Sequence, residues 1–203
     1  MSHVMIESVT DPGMAPVVAE LAAATFPLAC PPHSTADDIA AFIADHLGPA
    51  DFRRHIESPD SEVLLATGTA GTALGYCLIH HTGPTTSPLA ARTLNPDVAS
   101  VIATQSVTEV SKMYVRPEHH ARGRAGAAAP RLMAAAIDRA RARGSVLVWL
   151  GVNEENVRAQ RFYAKMGFTQ VGTKSFDLNG NIEHDWVLSR PVPEQPSDRL
   201  GEA

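Results

Sequence analysis

The run Met113-Tyr114-Val115-Arg116-Pro117-Glu118-His119-His120-Ala121-Arg122-Gly123-Arg124-Ala125-Gly126 decides the fold. It opens as the end of a strand, Val107 to Val115, with Pro117 just past the last residue. A small, basic loop follows, and then a helix to Arg143 that Gly144 stops. Backbone amides at the start of a helix lack helical acceptors, and the helix dipole adds positive charge there. A strand feeding such a loop reads as an anion site. Glycine and alanine let a phosphate approach the backbone closely, and Arg122 and Arg124 add charge-assisted donors. By itself the stretch reads equally well as an ordinary Gly/Arg surface loop.

Moving toward the C-terminus, Val146 to Val152 is a continuous apolar run between Gly144 and Asn153. That is the mark of a strand buried on both faces. Asn156 to Met166 reads as a helix ending at Gly167. Asn156, Ala159 and Tyr163 fall at i, i+3 and i+7, on one face, and Phe162 and Met166 take the core stripe. Taken alone, Tyr163 reads as a half-buried core residue with its hydroxyl bonded to backbone. Phe168 to Phe176 and Ile182 to Leu188 are strands around Asn179-Gly180, a strong hairpin signal.

Toward the N-terminus, Val4 to Val9 is a short strand. Asp11-Pro12 opens a helix through Thr25, broken by Pro27, Pro31 and Pro32. Thr35 caps a second helix, Ala36 to Leu47, with Asp38 completing a near capping box. Phe52 to Glu57 adds a helical turn. Glu62 to Thr67 and Ala73 to His80 are strands joined by Gly68-Thr69-Ala70-Gly71. Pro84 to Gln105 reads as a long loop, with Asn95-Pro96-Asp97 capping a short helix inside it. Residues 1–190 are expected as one domain and 191–203 as a polar, flexible tail.

A chain of 203 residues holds one full core. The formal charge of −5 argues against a general nucleic-acid binder. The two cysteines, Cys30 and Cys77, form no CxxC pair, so neither a zinc ribbon nor a disulfide framework is expected. His80-His81 and His119-His120 are adjacent pairs whose side chains diverge along a strand, so no metal site is expected. The sequence has neither a signal-peptide pattern nor a long apolar span, so a cytoplasmic protein without membrane contact is expected.

The order Tyr-Val-x-Pro, small basic loop, helix, strand, Asn-x-x-Ala-x-x-x-Tyr and Gly-Phe resembles the GNAT acetyltransferase superfamily. Residues 105–190 carry the resemblance, and the N-terminal half agrees in element order. It implies an α/β fold with a mixed central sheet of six to seven strands flanked by helices, and acetyl-CoA as cofactor. In that family the loop is a pyrophosphate-binding Q/R-x-x-G-x-G/A motif. One register sets it at His120 to Ala125, with His in place of Gln or Arg and Gly123 at the glycine position. A later register, Arg124 to Ala129, restores the basic residue and puts Ala127 at the glycine position. Together they assign His120, Ala121, Arg122, Gly123, Arg124, Ala125, Gly126 and Ala127 to the cofactor. Pro130 must then lie near the helix start, because an interior proline costs about 3 kcal/mol.

The resemblance implies further roles. The strand carrying Met113, Tyr114 and Val115 splays from the next parallel strand and pairs with the pantetheine amides. Asn156, with Ala159 one turn on, takes the position that bonds the pantetheine arm. Tyr163 takes the position of the tyrosine that protonates or stabilises the departing thiolate. Glu109 takes that of a glutamate base, with a surface carboxylate at a strand end as the plain alternative. Phe26, Cys30 and His33 fall where relatives line the acceptor pocket, although Phe26 reads equally as core. Glu183 and Asp185 border that region and suit an ammonium group or a solvated strand end. The segments Val148-Trp149-Leu150-Gly151-Val152, Val171-Gly172-Thr173 and Ser175-Phe176 look most like bacterial polyamine acetyltransferases. The expected acceptor is thus a primary amine of a small molecule, attacked directly in a ternary complex. A protein N-terminus, or a non-catalytic acyl-CoA-binding module, is the alternative. The oligomeric state stays open, with a homodimer the form the resemblance suggests.

Overall fold

The computed structural model describes residues 4–31, 33–69, 71–83, 93–119, 127–178 and 181–193. In chain order the elements are β1 Met5–Ser8, α1 Ala15–Thr25, α2 Ala36–His46, α3 Pro49–Glu57, β2 Ser61–Thr67, β3 Ala73–Thr82, β4 Thr93–Leu94, α4 Pro96–Thr104, β5 Val107–Val115, α5 Ala128–Ala142, β6 Leu147–Asn153, α6 Val157–Lys165, β7 Thr169–Leu178 and β8 Asn181–Pro191. The strands form one sheet in the order β1-β2-β3-β5-β6-β8-β7-β4. The expected mixed sheet is therefore present, as seven strands with the two-residue β4 added at one edge. All pairs are antiparallel except β5 with β6.

Local chemistry sets the helix starts. Asp11, Thr35 and Asn95 each accept a bond from a backbone amide of the turn they open. The turn expected at Phe52 is the second half of α3, whose start at Gly48-Pro49 is held by Asp51 accepting from the Gly48 amide at 2.9 Å. Pro130 lies in the first turn of α5, where its missing N–H leaves no gap. The last strand is longer than expected. β8 continues to Pro191, the Val192 amide donates to the Val146 carbonyl at 2.9 Å, and Arg141 Nε donates to the Pro193 carbonyl at 3.1 Å. The Asn179-Gly180 turn and residues 194–203 lie outside the described residues. No described helix is long and apolar enough to cross a membrane.

Side chains alternate across the sheet, so each strand feeds two faces. One face holds a single core in which α5 covers Leu64, Cys77, Ile79, Val110, Val148 and Leu150. The other face holds two separate cores. Helices α1 and α3 cover Val63, Leu65, Tyr76 and Leu78. At the far side Ile102 of α4 packs with Val107, Leu147, Trp149 and Val187. Between these two cores runs a band that neither covers.

Gly75 in β3 sits opposite Val115. A Cβ there would come within 2.6 Å of the Tyr114 carbonyl oxygen and 2.9 Å of Val115 Cα. Both are backbone atoms of the neighbouring strand and cannot swing aside. Gly75→Ala should therefore destabilise the fold by about 1–3 kcal/mol, read as a lower urea midpoint; an unchanged midpoint would show that β5 has room to move.

Candidate functional site

The two parallel strands part. Only Val107–Leu147, Thr108–Val148 and Glu109–Trp149 are paired between β5 and β6. Beyond that rung β5 stays with β3 as far as Val115, and β6 stays with β8 as far as Asn153. The result is a fork that opens just past Glu109. A register shift helps to set it. In the β3–β5 ladder Leu78 lies opposite Lys112 and Ile79 opposite Val110, so Ser111 is an extra residue in β5. Such a bulge bends its strand and increases the local twist.

Helix α6 stands at one side of the fork. Asn156 is its N-cap, accepting from the Ala159 amide at 3.0 Å. Tyr163 is half-buried and packs into the α5-side core with Met113, Ala159, Phe162 and Met166. Its phenol lies close enough to Tyr114 of β5 and Cys77 of β3 to feel both. Burial, with smaller contributions from those two groups, pushes its pKa well above the usual value for tyrosine. The hydroxyl is therefore protonated throughout the neutral range. Burial likewise raises the Tyr114 phenol, with Cys30 and Asp185 as lesser causes. Residues from α6, β5, β3, β8 and the α1–α2 connection thus converge on one place.

The opposite face of the fork carries charge. Because of the bulge, Glu109 and Lys112 fall on the same face, opposite His80 and Leu78 respectively. Lys112 is half-buried, and desolvation lowers its pKa; Glu109 and Asp51 oppose that shift, and Lys174 adds to it. Beside it, burial followed by repulsion from His55 and Lys112 brings His80 down to about 4. The His55 and His80 rings are 5.1 Å apart. Lys174 of β7 and Asp185 of β8 form an ion pair of 3.4 Å that lies over Gly151 of β6. A Cβ on Gly151 would come within 2.2 Å of Lys174 Cε and 2.8 Å of Asp185 Oδ2. Glycine at this point is what lets the Lys174 arm cross the sheet toward β5.

Lys112, Lys174 and His80 were not expected here. In a regular strand Glu109 and Lys112 would point to opposite faces. The sequence of β5 offers no distinct signal for the bulge, since Thr108-Glu109 is a polar pair just as Ser111-Lys112 is.

The remaining expected residues sort as follows. Phe26 stacks on Phe42 with centroids 4.7 Å apart and meets Tyr114 edge-on at 6.4 Å, so it joins the α1-side core and the fork at once. Cys30 Sγ donates weakly to the Phe26 carbonyl at 3.5 Å. His33 Nδ1 lies 4.0 Å from Glu155 Oε2, linking the α1–α2 connection to the turn before α6. Asp185 is buried, and Glu183 is inside β8 opposite Phe176, its side chain outside the described residues. His120, Ala121, Arg122, Gly123, Arg124, Ala125 and Gly126 also lie outside them. Ala127 is the N-cap of α5 and supplies no side-chain bond to the first-turn amides. A cavity of about 330 Å³ lined by Gln160, Ala164, Phe168, Gln170, Trp186 and Leu188 contains none of the fork residues.

This geometry fits an acyl-CoA. Past Glu109 the edge of β5 toward β6 has no strand paired to it, an arrangement suited to a thioester arm with amide groups. The uncapped start of α5 follows the loop after β5 and offers backbone amides for a diphosphate. Tyr163 holds a neutral O–H close to Tyr114 of β5.

Comparison with known proteins agrees. Residues 20–168 match the model of the acetyltransferase (GNAT) family. The chain is 37% identical over 175 residues to uncharacterized N-acetyltransferases of Mycobacterium bovis and Mycobacterium tuberculosis, covering 86% of this chain and 96% of theirs. Among solved structures, the PaiA N-acetyltransferase of Thermoplasma acidophilum in complex with coenzyme A superposes with a TM-score of 0.68 at 14% identity, over 93% of this chain and 98% of that one. Arabidopsis thaliana NAA60 with a bisubstrate analogue superposes with a TM-score of 0.66 at 13% identity, over 95% and 99%. At these identities the two structures establish the fold alone. The family match and the mycobacterial relatives establish more: the chain belongs to the acetyltransferase (GNAT) family and is an acetyl-CoA-dependent N-acetyltransferase.

Proposed function

We propose that this enzyme acetylates the primary amine of a small molecule at the β5–β6 fork, by direct attack of the amine in a ternary complex. The observation that carries the reading is the end of β5–β6 pairing at Glu109 and Trp149, with Tyr163 from α6 beside the opened slot. Acetyl-CoA supplies the acetyl thioester. The outer part of β5, Met113 to Val115, pairs with its amide-bearing arm, Asn156 and Ala159 orient that arm, and the loop from His120 to Ala127 receives the diphosphate.

Glu109 sits on the last closed rung and takes the proton that the attacking amine must lose, directly or through water. Tyr163 donates a hydrogen bond to the sulfur as negative charge develops there. A phenol held above its usual pKa gives up its proton reluctantly, so its first contribution is stabilisation of that charge. No serine or cysteine nucleophile paired with a base is needed, since the amine itself attacks.

Phe26, Cys30, His33 and Asp185 border the acceptor end. A polyamine is the acceptor that the finer resemblance suggests. The carboxylates of Glu109 and Asp185 support it, and the lysines in the same groove weigh against it. A protein N-terminus is the competing acceptor class. An acetyl-transfer screen over polyamines, amino acids, other small amines and peptides decides between them: transfer to peptides alone would overturn the small-molecule reading.

Acetyl-CoA at about 100 times its Kd should stabilise the fold by about 2.7 kcal/mol, about 5–10 °C in Tm for a chain of this size. A melting curve unmoved by millimolar acetyl-CoA would count against the slot. Tyr163→Phe should lower kcat about a hundredfold while the KM for acetyl-CoA holds, measured by release of the CoA thiol; an unchanged kcat would remove Tyr163 from the reaction. Glu109→Gln should cost a comparable factor in kcat/KM for the amine, and a variant as fast as the parent would take Glu109 out of the proton path.

A further inference from the structure

We propose that Lys112, together with Lys174, receives an anionic group of the acceptor, so that the acceptor is a small primary amine that also carries a carboxylate. The inference rests on the fork as the site of acetyl transfer and names the acceptor's chemistry there.

The charge pattern of the groove carries it. The bulge at Ser111 turns Lys112 onto the face that holds Glu109. The acids around it already have cations: Asp51 pairs with Arg54, and Asp185 pairs with Lys174. Among the described residues, the Lys112 ammonium makes neither an ion pair nor a hydrogen bond, although it is half-buried. Glu109 and Asp51 favour its charge from a distance, while Lys174 opposes it, and its charge lowers the pKa of both His55 and His80. A half-buried ammonium beside another ammonium lacks a negative partner.

Two buried neutral donors lie in the apolar cores that flank the groove. Among the described residues, the indole N–H of Trp149, on the same rung as Glu109, has no hydrogen-bond acceptor. The hydroxyl of Tyr76, opposite Tyr114, has no partner among the described residues either. Buried donors without acceptors are uncommon in folded proteins. The groove itself holds two cations, Lys112 and Lys174, with Glu109 beside them.

A carboxylate placed between Lys112 and Lys174 gives the unpaired ammonium its counter-ion. Its amine would then lie toward Glu109 and the thioester. Gly151 is part of this arrangement, because any side chain there would block the Lys174 arm. A polycation meets the opposite situation. It adds positive charge beside two lysines, and two of the three acids nearby, Asp51 and Asp185, are already paired with cations.

The test compares kcat/KM for matched acceptors with and without the carboxylate. The panel holds α-amino acids, β-alanine and γ-aminobutyrate, their carboxylate-free amines, and spermidine. At least one amino carboxylate should exceed its carboxylate-free amine by about tenfold or more, the size of one charge-assisted pair. Lys112→Met should bring that ratio close to one, mainly through KM for the acceptor, and Lys112→Arg should restore most of it. A retained rise in Tm with acetyl-CoA shows that the Lys112→Met protein is folded. Spermidine or plain amines as the better acceptors, or a ratio untouched by Lys112→Met, would overturn the inference and leave acetyl transfer at the fork standing. Failure of every acceptor would also overturn it, and if acetyl-CoA gave no Tm shift as well, the reading of the fork would fall with it.

Discussion

Everything in this molecule depends on two parallel strands that are tied at one end and parted at the other. Each unpaired rung leaves backbone groups without a partner strand, and a buried group of that kind is costly. A sheet opens only where something else fills the gap. Here the closed end is fastened by polar bonds as well as by the ladder. The Val146 amide donates to the Ser106 carbonyl at 3.0 Å, and Thr108 Oγ1 lies 2.8 Å from Ser145 Oγ. Both bonds join the start of β5 to the start of β6. Nothing comparable is described beyond Glu109 and Trp149. The separation is thus a consequence of where the fasteners stop.

The same closed end anchors α5, the helix whose start is proposed to meet the diphosphate. Thr108 also meets His81 Nδ1 at 2.9 Å, and His81 Nε2 meets Glu62 at 3.2 Å. Burial lowers the His81 pKa more than Glu62 raises it, which suits a neutral ring. Its Nε2–H then donates to the carboxylate and Nδ1 accepts from the threonine. Glu62 in turn faces Arg139 at 3.4 Å and Arg143 at 3.5 Å, both near the C-terminal end of α5. Cations there also complement the helix dipole. The tail end of α5 is held at the closed end of the fork, and its free N-terminus is left at the open end.

Much of this was legible in the residues, for physical reasons. Periodic apolar positions and side-chain caps are local signals, so Asp11, Thr35 and Asn95 marked their helices correctly. The continuous apolar run of β6 announced a strand covered on both faces. The start of α3 was missed because Gly48 has no side chain with which to announce a cap; the bond comes back from Asp51 instead. The site was legible only in part. Tyr163, Asn156 and Glu109 were candidates only through the family resemblance, and the structure places Glu109 on the rung where the strands part. The lysines were invisible because their placement is not a property of either strand alone. Lys112 depends on one extra residue against β3, and Lys174 depends on a missing side chain in β6.

That last dependence separates holding the donor from choosing the acceptor. The groups assigned to the acyl donor are backbone of β5, helix termini and the packed phenol of Tyr163, and they follow from topology. The groups proposed to face the acceptor are a glutamate, an aspartate and two lysines, and the directions of the lysines are set by a bulge and by Gly151. Such features change with one residue and leave the ladder intact. A sheet that opens in one place can therefore keep one acyl donor while its polar band, lying between two separate apolar cores, is rewritten for different amines. In this chain the band carries both signs of charge. A site built that way distinguishes acceptors by where their own opposite charges lie, which a single patch of acid cannot do.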